Sequence, residues 1–180
     1  MKIWGQHYRS IWPAARGVVR VIDQTRLPFD FATLDLTTVD EVALAIRTMV
    51  VRGAPLIGAA AAYGVALAMH SDPSDAALAH AAAMLQATRP TAHNLSWALD
   101  SMRATLSPLS PAARADAAWE AAAAICDADV EQCRTIGLHG LEVLRAAAGA
   151  HDRRLNVLTH CNAGWLACVD WGTALAPVYL

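Results

Sequence analysis

The sequence predicts an α+β protein: a small N-terminal antiparallel β element and a helical domain, followed by the first strand, turn and helix of a second, α/β unit. Three observations lead there. Short β-type runs broken by turn residues occupy residues 1–37, capping signals and helically spaced apolar residues run from 38 to about 148, and a charged stretch at 150–154 separates these from a strand-like run and a glycine turn. The expected division is residues 1–150 and residues 151–180.

In the β element, residues 10–12 and 18–23 read as strands on either side of a break that starts at Pro13 and ends at Gly17, and Leu27 and Pro28 mark a turn. Thr38-Val39-Asp40-Glu41 is a capping box, and Val39, Val42, Ile46, Met49 and Val50 recur at helical spacing until Arg52 and Gly53 stop the run. Pro55, in the favoured first turn, opens a second helix that is apolar on every side through Met69 and so belongs in a core. Ser71, Asp72 and Pro73 start a third helix reaching about Thr88, Arg89-Pro90-Thr91 break it, and a fourth spans about 94–106. Residues 111–148 are Ala-rich and helical but longer than an average helix, so the stretch reads either as one helix kinked at Gly137 and Gly140 or as two helices.

LNVLTH at 155–160 has the composition of a buried strand, Cys161-Asn162-Ala163-Gly164 that of a tight turn, and residues 165–179 that of an apolar helix. One such unit forms no sheet, and apolar sequence runs to Leu180 without a stop signal, so the second domain is expected to be truncated in this chain.

Composition narrows the functional classes. The hydrophobic fraction of 56% and mean hydropathy of +0.30 invite a membrane reading, but 40 of the 180 residues are Ala and only 6% are aromatic. The longest uncharged run, residues 53–69, falls just short of a spanning length and contains Pro and Gly. Fourteen basic and sixteen acidic residues are spread without a basic stripe, which argues against nucleic acid and for a small molecule or a protein partner. Cys126, Cys133, Cys161 and Cys168 lack the two-residue spacing of a zinc knuckle or redox dithiol, so no metal is expected. The first ten residues hold no apolar signal core, which points to the cytoplasm and free thiols.

Three segments carry residues suited to chemistry. Arg52, Gly53 and Ala54 stand where a helix begins; its first N–H groups are unpaired, its dipole favours an anion, and Gly permits close approach, although an ordinary turn with a solvated Arg has the same sequence. Arg89-Pro90-Thr91-Ala92-His93-Asn94 offers an Arg and polar groups on an interhelical loop, or simply a capped loop. Cys161 sits where a strand is expected to pass into a helix, a position that lowers a thiol pKa and equips it as thiolate, acid or base; a small packed thiol is the alternative. The other three cysteines fall in helical patterns and read as inert core residues.

Taken together, IDQTRLP at 22–28, VRGAPLIG at 51–58, RPTAHNL at 89–95, NVLTHCNAGWLA at 156–167 and GTALAP at 172–177 closely resemble the methylthioribose-1-phosphate isomerase family, over essentially the whole chain but only the N-terminal half of that family's architecture. The resemblance implies a β-plus-helical domain followed by a truncated Rossmann-like domain, and an aldose–ketose isomerase of methionine salvage acting on a sugar phosphate, without metal or organic cofactor. It also implies a cytoplasmic homodimer when complete. By the same resemblance Arg52, Gly53 and Ala54 match the substrate-phosphate segment, Arg89 a second anchor, and Cys161 the active-site cysteine, which stabilises the transition state or moves a proton at C1/C2.

One departure matters: no residue here matches the family's catalytic aspartate, and Asp170, in CVDWG, is not promoted to that role. The 180 residues alone are therefore expected to bind phosphate weakly and not to turn over. Relatives acting on ribose 1,5-bisphosphate or 5-deoxyribose 1-phosphate differ at the 5-substituent, for which Trp4, Tyr8 and Trp12 offer an apolar slot or merely pack a β element. Non-catalytic regulatory subunits of the eukaryotic initiation-factor exchange complex share the fold, but would not be expected to keep the Arg-Gly-Ala segment, Arg89 and Cys161 together.

Overall fold

The computed structural model describes residues 1–149 and 154–180. The predicted boundary at 150/151 and most of the charged stretch fall on residues outside that description. The class is α+β. A two-stranded hairpin, β1 (Lys2–Ile3) and β2 (Gln6–His7), precedes a three-stranded antiparallel sheet ordered β3 (Ile11–Ala15), β4 (Val18–Ile22), β5 (Thr33–Leu36). Five helices follow: α1 (Val39–Arg47), α2 (Ala54–Ser71), α3 (Asp75–Gln86), α4 (His93–Leu106) and α5 (Pro111–Gly149).

Alternation of side chains along β4 buries Val19 and Val21 beneath the helices, where Ile11 and Leu36 join them from the flanking strands. Arg20 points the other way and binds Asp35 on β5 through two N–H donors, at 2.5 and 2.7 Å, in register Arg20↔Asp35. The expected break at Pro13 is a bulge instead: β3 runs on to Ala15, because an edge strand tolerates a proline that cannot donate. The Thr38–Glu41 capping box forms as expected, with Glu41 N–H donating to Thr38 Oγ1 and the Glu41 carboxylate accepting from Thr38 N–H, both at 3.2 Å.

The axis of the core is α2. It packs against α1, α3, α4 and α5, with Leu56, Tyr63, Val65 and Met69 buried, so a helix apolar all round has neighbours all round. By length and composition α2 is one helix capable of crossing a membrane, and 78% of it is buried inside this protein.

In the C-terminal half the structure decides one open alternative and corrects one expectation. Residues 111–149 form one helix; Gly137 and Gly140 do not divide it but admit a short helix, α6 (Ala176–Tyr179), against its surface. A Cβ on Gly137 would stand 2.6 Å from Leu180 Cδ1, and one on Gly140 2.9 Å from Pro177 Cβ, so the glycines serve interhelical approach.

The predicted strand–turn–helix is not formed. Residues 155–160 carry no strand, and Leu158 is 99% exposed, because a parallel strand requires a neighbour to receive its slanted hydrogen bonds and none pairs with it among the described residues. Residues 165–179 form a single 3₁₀ turn, Trp165–Ala167, and then α6. Between them the chain reverses through left-handed Trp171 (φ 67°) and Gly172 (φ 82°), with the Asp170 carboxylate accepting the Trp171 N–H at 2.8 Å; this local turn chemistry outweighs the apolar pattern.

Candidate functional site

The link from α1 to α2 makes an exposed helix start. After Met49 turns left-handed (φ 63°), Val51 buries its side chain and Arg52 emerges into solvent. Gly53 is the N-cap residue, with φ 112° and ψ 138° and no side chain to cap with, and Pro55 follows in the first turn. The N–H groups of Ala54 and Leu56 are thus left without a helical partner or a capping side chain, at the positive end of an 18-residue helix. Arg52 Nε donates to Gln24 Oε1 at 3.4 Å, and Gln24 Nε2 donates to Leu166 O at 2.7 Å. Gln24, buried in the turn after β4, joins the arginine segment to the turn after Cys161.

That turn closes directly on Gly53. A Cβ on Gly53 would stand 2.6 Å from Ala167 O and nearer still to Ala167 Cα, so only glycine lets the two backbones meet. The second predicted anchor, Arg89, is half-buried on the bend between α3 and α4, where its carbonyl accepts Ala92 N–H at 3.0 Å. Helix α4 also starts without a side-chain cap, and Gly58 of α2 lies against the Asn94 carbonyl, so the start of α4 packs against the second turn of α2. A cavity of about 70 Å³ separates them, lined by Pro55, Gly58, Asn94, Trp97, Asp129 and Gln132 among others.

Cys161 is exposed and left-handed (φ 67°), and the helix expected to begin beside it is a three-residue 3₁₀ turn starting at Trp165. The expected placement of Cys161 at the start of a helix is therefore not met, because one 3₁₀ turn sums too few peptide dipoles to act as a helix N-terminus. The structure brings Arg52, Gly53 and Ala54 to the Ala167 turn, and α4 to α2; among the described residues no hydrogen bond or ion pair joins Arg89 or Cys161 to Arg52. Cys126, Cys133 and Cys168 are buried, as expected of core thiols, although Cys168 lies just beyond the 3₁₀ turn rather than in a helix. Burial, reinforced by the nearby Asp129 and Asp127 carboxylates, pushes the Cys126 thiol up to about 12.

Two acidic residues beside the site have structural roles that the sequence does not show. Asp129, on α5, accepts Val169 N–H at 2.8 Å, and burial raises its carboxyl above the usual range. Asp170 is buried and bound to the Met1 ammonium (2.6 Å), His7 Nε2 (2.5 Å) and Trp171 N–H, a structural lock between the N-terminal hairpin and the 165–172 segment. Burial opposes its charge, but these donors outweigh burial and hold its pKa below the ordinary value of 3.8. A group with a depressed folded pKa contributes stability above its unfolded value and loses it as pH falls through the folded one. Asp170→Asn should accordingly unfold at lower urea than the parent at pH 7, with the difference vanishing below the folded pKa of Asp170; equal midpoints at pH 7 would refute the lock.

Residues 50–176 match the profile of the Initiation factor 2 subunit family (IF-2B). A curated protein from Acidiphilium cryptum, named Methylthioribose-1-phosphate isomerase, is 62% identical over 182 residues, covering 100% of this chain and 49% of that protein. One of the same name from Methylorubrum extorquens is 60% identical over 181 residues, covering 100% and 50%. The chain spans about half the length of the curated relatives it matches. Among solved structures, 5-methylthioribose 1-phosphate isomerase from Pyrococcus horikoshii has a TM-score of 0.81 at 35% identity, over 96% of this chain and 49% of that one. Translation initiation factor eIF-2B, subunit delta, from A. fulgidus scores 0.79 at 38% identity, over 96% and 50%. With the profile matching well over half of its residues, including both the Arg52 segment and the Cys161 turn, the chain belongs to the Initiation factor 2 subunit family.

Proposed function

We propose that this chain forms the phosphate-holding half of an isomerase that converts 5-methylthioribose 1-phosphate to 5-methylthioribulose 1-phosphate, a step of methionine salvage. The observation that carries the reading is the closure of the Ala167 turn on Gly53, which sets the open N-terminus of α2 beside the segment bearing Cys161. The identity of about 60% to relatives bearing the isomerase name supports the same substrate.

The chemistry follows from the substrate. Its anomeric carbon is blocked by phosphate, so the ring must open before hydrogen moves from C2 to C1; the ring oxygen gains a proton and the 2-hydroxyl loses one, leaving composition unchanged. Phosphate sits at the N–H groups of Ala54 and Leu56, with Arg52 as its counter-charge and Arg89 as the second anchor. Cys161 acts at C1/C2, by proton transfer or by stabilising the developing charge. The resemblance further supports a cytoplasmic homodimer, which size-exclusion chromatography with light scattering tests.

The full-length polypeptide should isomerise the substrate without added metal, and Arg52→Gln or Arg89→Gln should raise KM by about 10–100-fold, the worth of one charge-assisted hydrogen bond. Absence of turnover from well-folded full-length protein sinks the reading and favours a regulatory subunit, whose partner binding would survive both substitutions.

A further inference from the structure

We propose that Asp129, Cys133 and Cys168 form a binding site for a thiophilic divalent cation of the zinc type. One donor atom from each lies within 4.8 Å of the others, although Cys168 comes from a separate segment of the chain. Sequence spacing could not show this, because the two cysteines are brought together only by the docking of the 165–172 segment onto α5.

The cluster has the features of a built site. Asp129 and Cys133 are four residues apart on α5 and share one face of it. Asp129 Oδ2 is held by Val169 N–H at 2.8 Å, while Oδ1 lies 3.9 Å from Cys133 Sγ. A donor that fixes a ligating carboxylate in this way is how metal sites orient their ligands. Cys133 and Cys168 are 2% and 0% exposed, and Ala167 and Trp171 pack around them, excluding bulk water.

Tetrahedral zinc, with bonds of about 2.3 Å to sulfur and about 2.0 Å to oxygen, sets its ligands about 3.5–3.8 Å apart, so the three donors need close by little more than about 1 Å. Asp129 also lines the cavity of about 70 Å³ between α2 and α4, which has room for a water beside this carboxylate. Two sulfur donors of three select a soft or borderline cation over magnesium or calcium. Charge balances as well. One carboxylate and two thiols carry −1; one carboxylate, two thiolates and a divalent cation also carry −1, with two protons released.

The test uses reduced, metal-free protein titrated with cobalt(II) and, in parallel, zinc binding by equilibrium dialysis with proton release. One cation per chain, two protons released per cation and thiolate-to-cobalt absorption are expected, unchanged in Cys161→Ala and weakened about tenfold or more in Asp129→Asn. Absence of saturable binding, absorption that disappears with Cys161→Ala, or parental affinity in a folded Asp129→Asn overturns the proposal. Should Asp129→Asn fail to fold, the stoichiometry and the Cys161→Ala comparison decide it.

Discussion

Gly53→Ala should cost about 2–6 kcal/mol of stability and abolish with it the phosphate binding proposed for this site. Two independent terms act at this position. A side chain at φ 112° is strained by about 1–3 kcal/mol, and its Cβ would drive into the Ala167 backbone, an overpacking worth about another 1–3 kcal/mol. Relief is available only by moving the 165–172 segment away from α2, which would also break the Gln24 bridge to Leu166. Urea unfolding with and without inorganic phosphate reads both effects; a variant that keeps the parental midpoint and the phosphate-induced shift would show that the contact is not required.

The second large effect is on turnover alone. In the full-length protein, Cys161→Ser should lower kcat by about 10²–10⁴-fold, the span of one well-placed acid–base group, while the thermal midpoint stays put because the exposed side chain contributes little packing. Cys126 provides the contrast. It is buried, with its thiol pushed up to about 12, so Cys126→Ala should lower stability modestly and leave kcat alone. Equal losses of kcat at the two positions would mean that the Cys161 effect is merely structural.

What the sequence could and could not disclose follows from the range of the forces involved. The Thr38–Glu41 box, the all-apolar α2 and the position of Gly53 are local, and each is legible in a few consecutive residues. The strand expected at 155–160 failed because a strand is a property of a pair, and composition reports only one member. The helix expected at 165–179 failed because Asp170, Trp171 and Gly172 are turn-forming in a way that the surrounding apolar residues masked. The roles of Gln24 and Asp129 have no local signature because their partners, Leu166 and Val169, lie far away in sequence. Arg52, Gly53, Ala54, Arg89 and Cys161 were singled out by a combination of motifs, and their proposed roles rest on that combination together with the contact at Ala167.

Helix α2 bears on this site through its mechanics. Thirteen of its residues are buried, and most of these are alanine or glycine, with no rotamers to freeze and little bulk to hold the neighbouring helices apart. Its axis is therefore gripped along its length by four other helices, and the dipole at its open end has a fixed direction before any anion arrives. The phosphate site proposed there would accordingly require no reorganisation of the scaffold. Loosening the grip, for example by enlarging Gly64, which faces Leu85 and Val42, should weaken phosphate binding at the proposed site from more than one helical turn away.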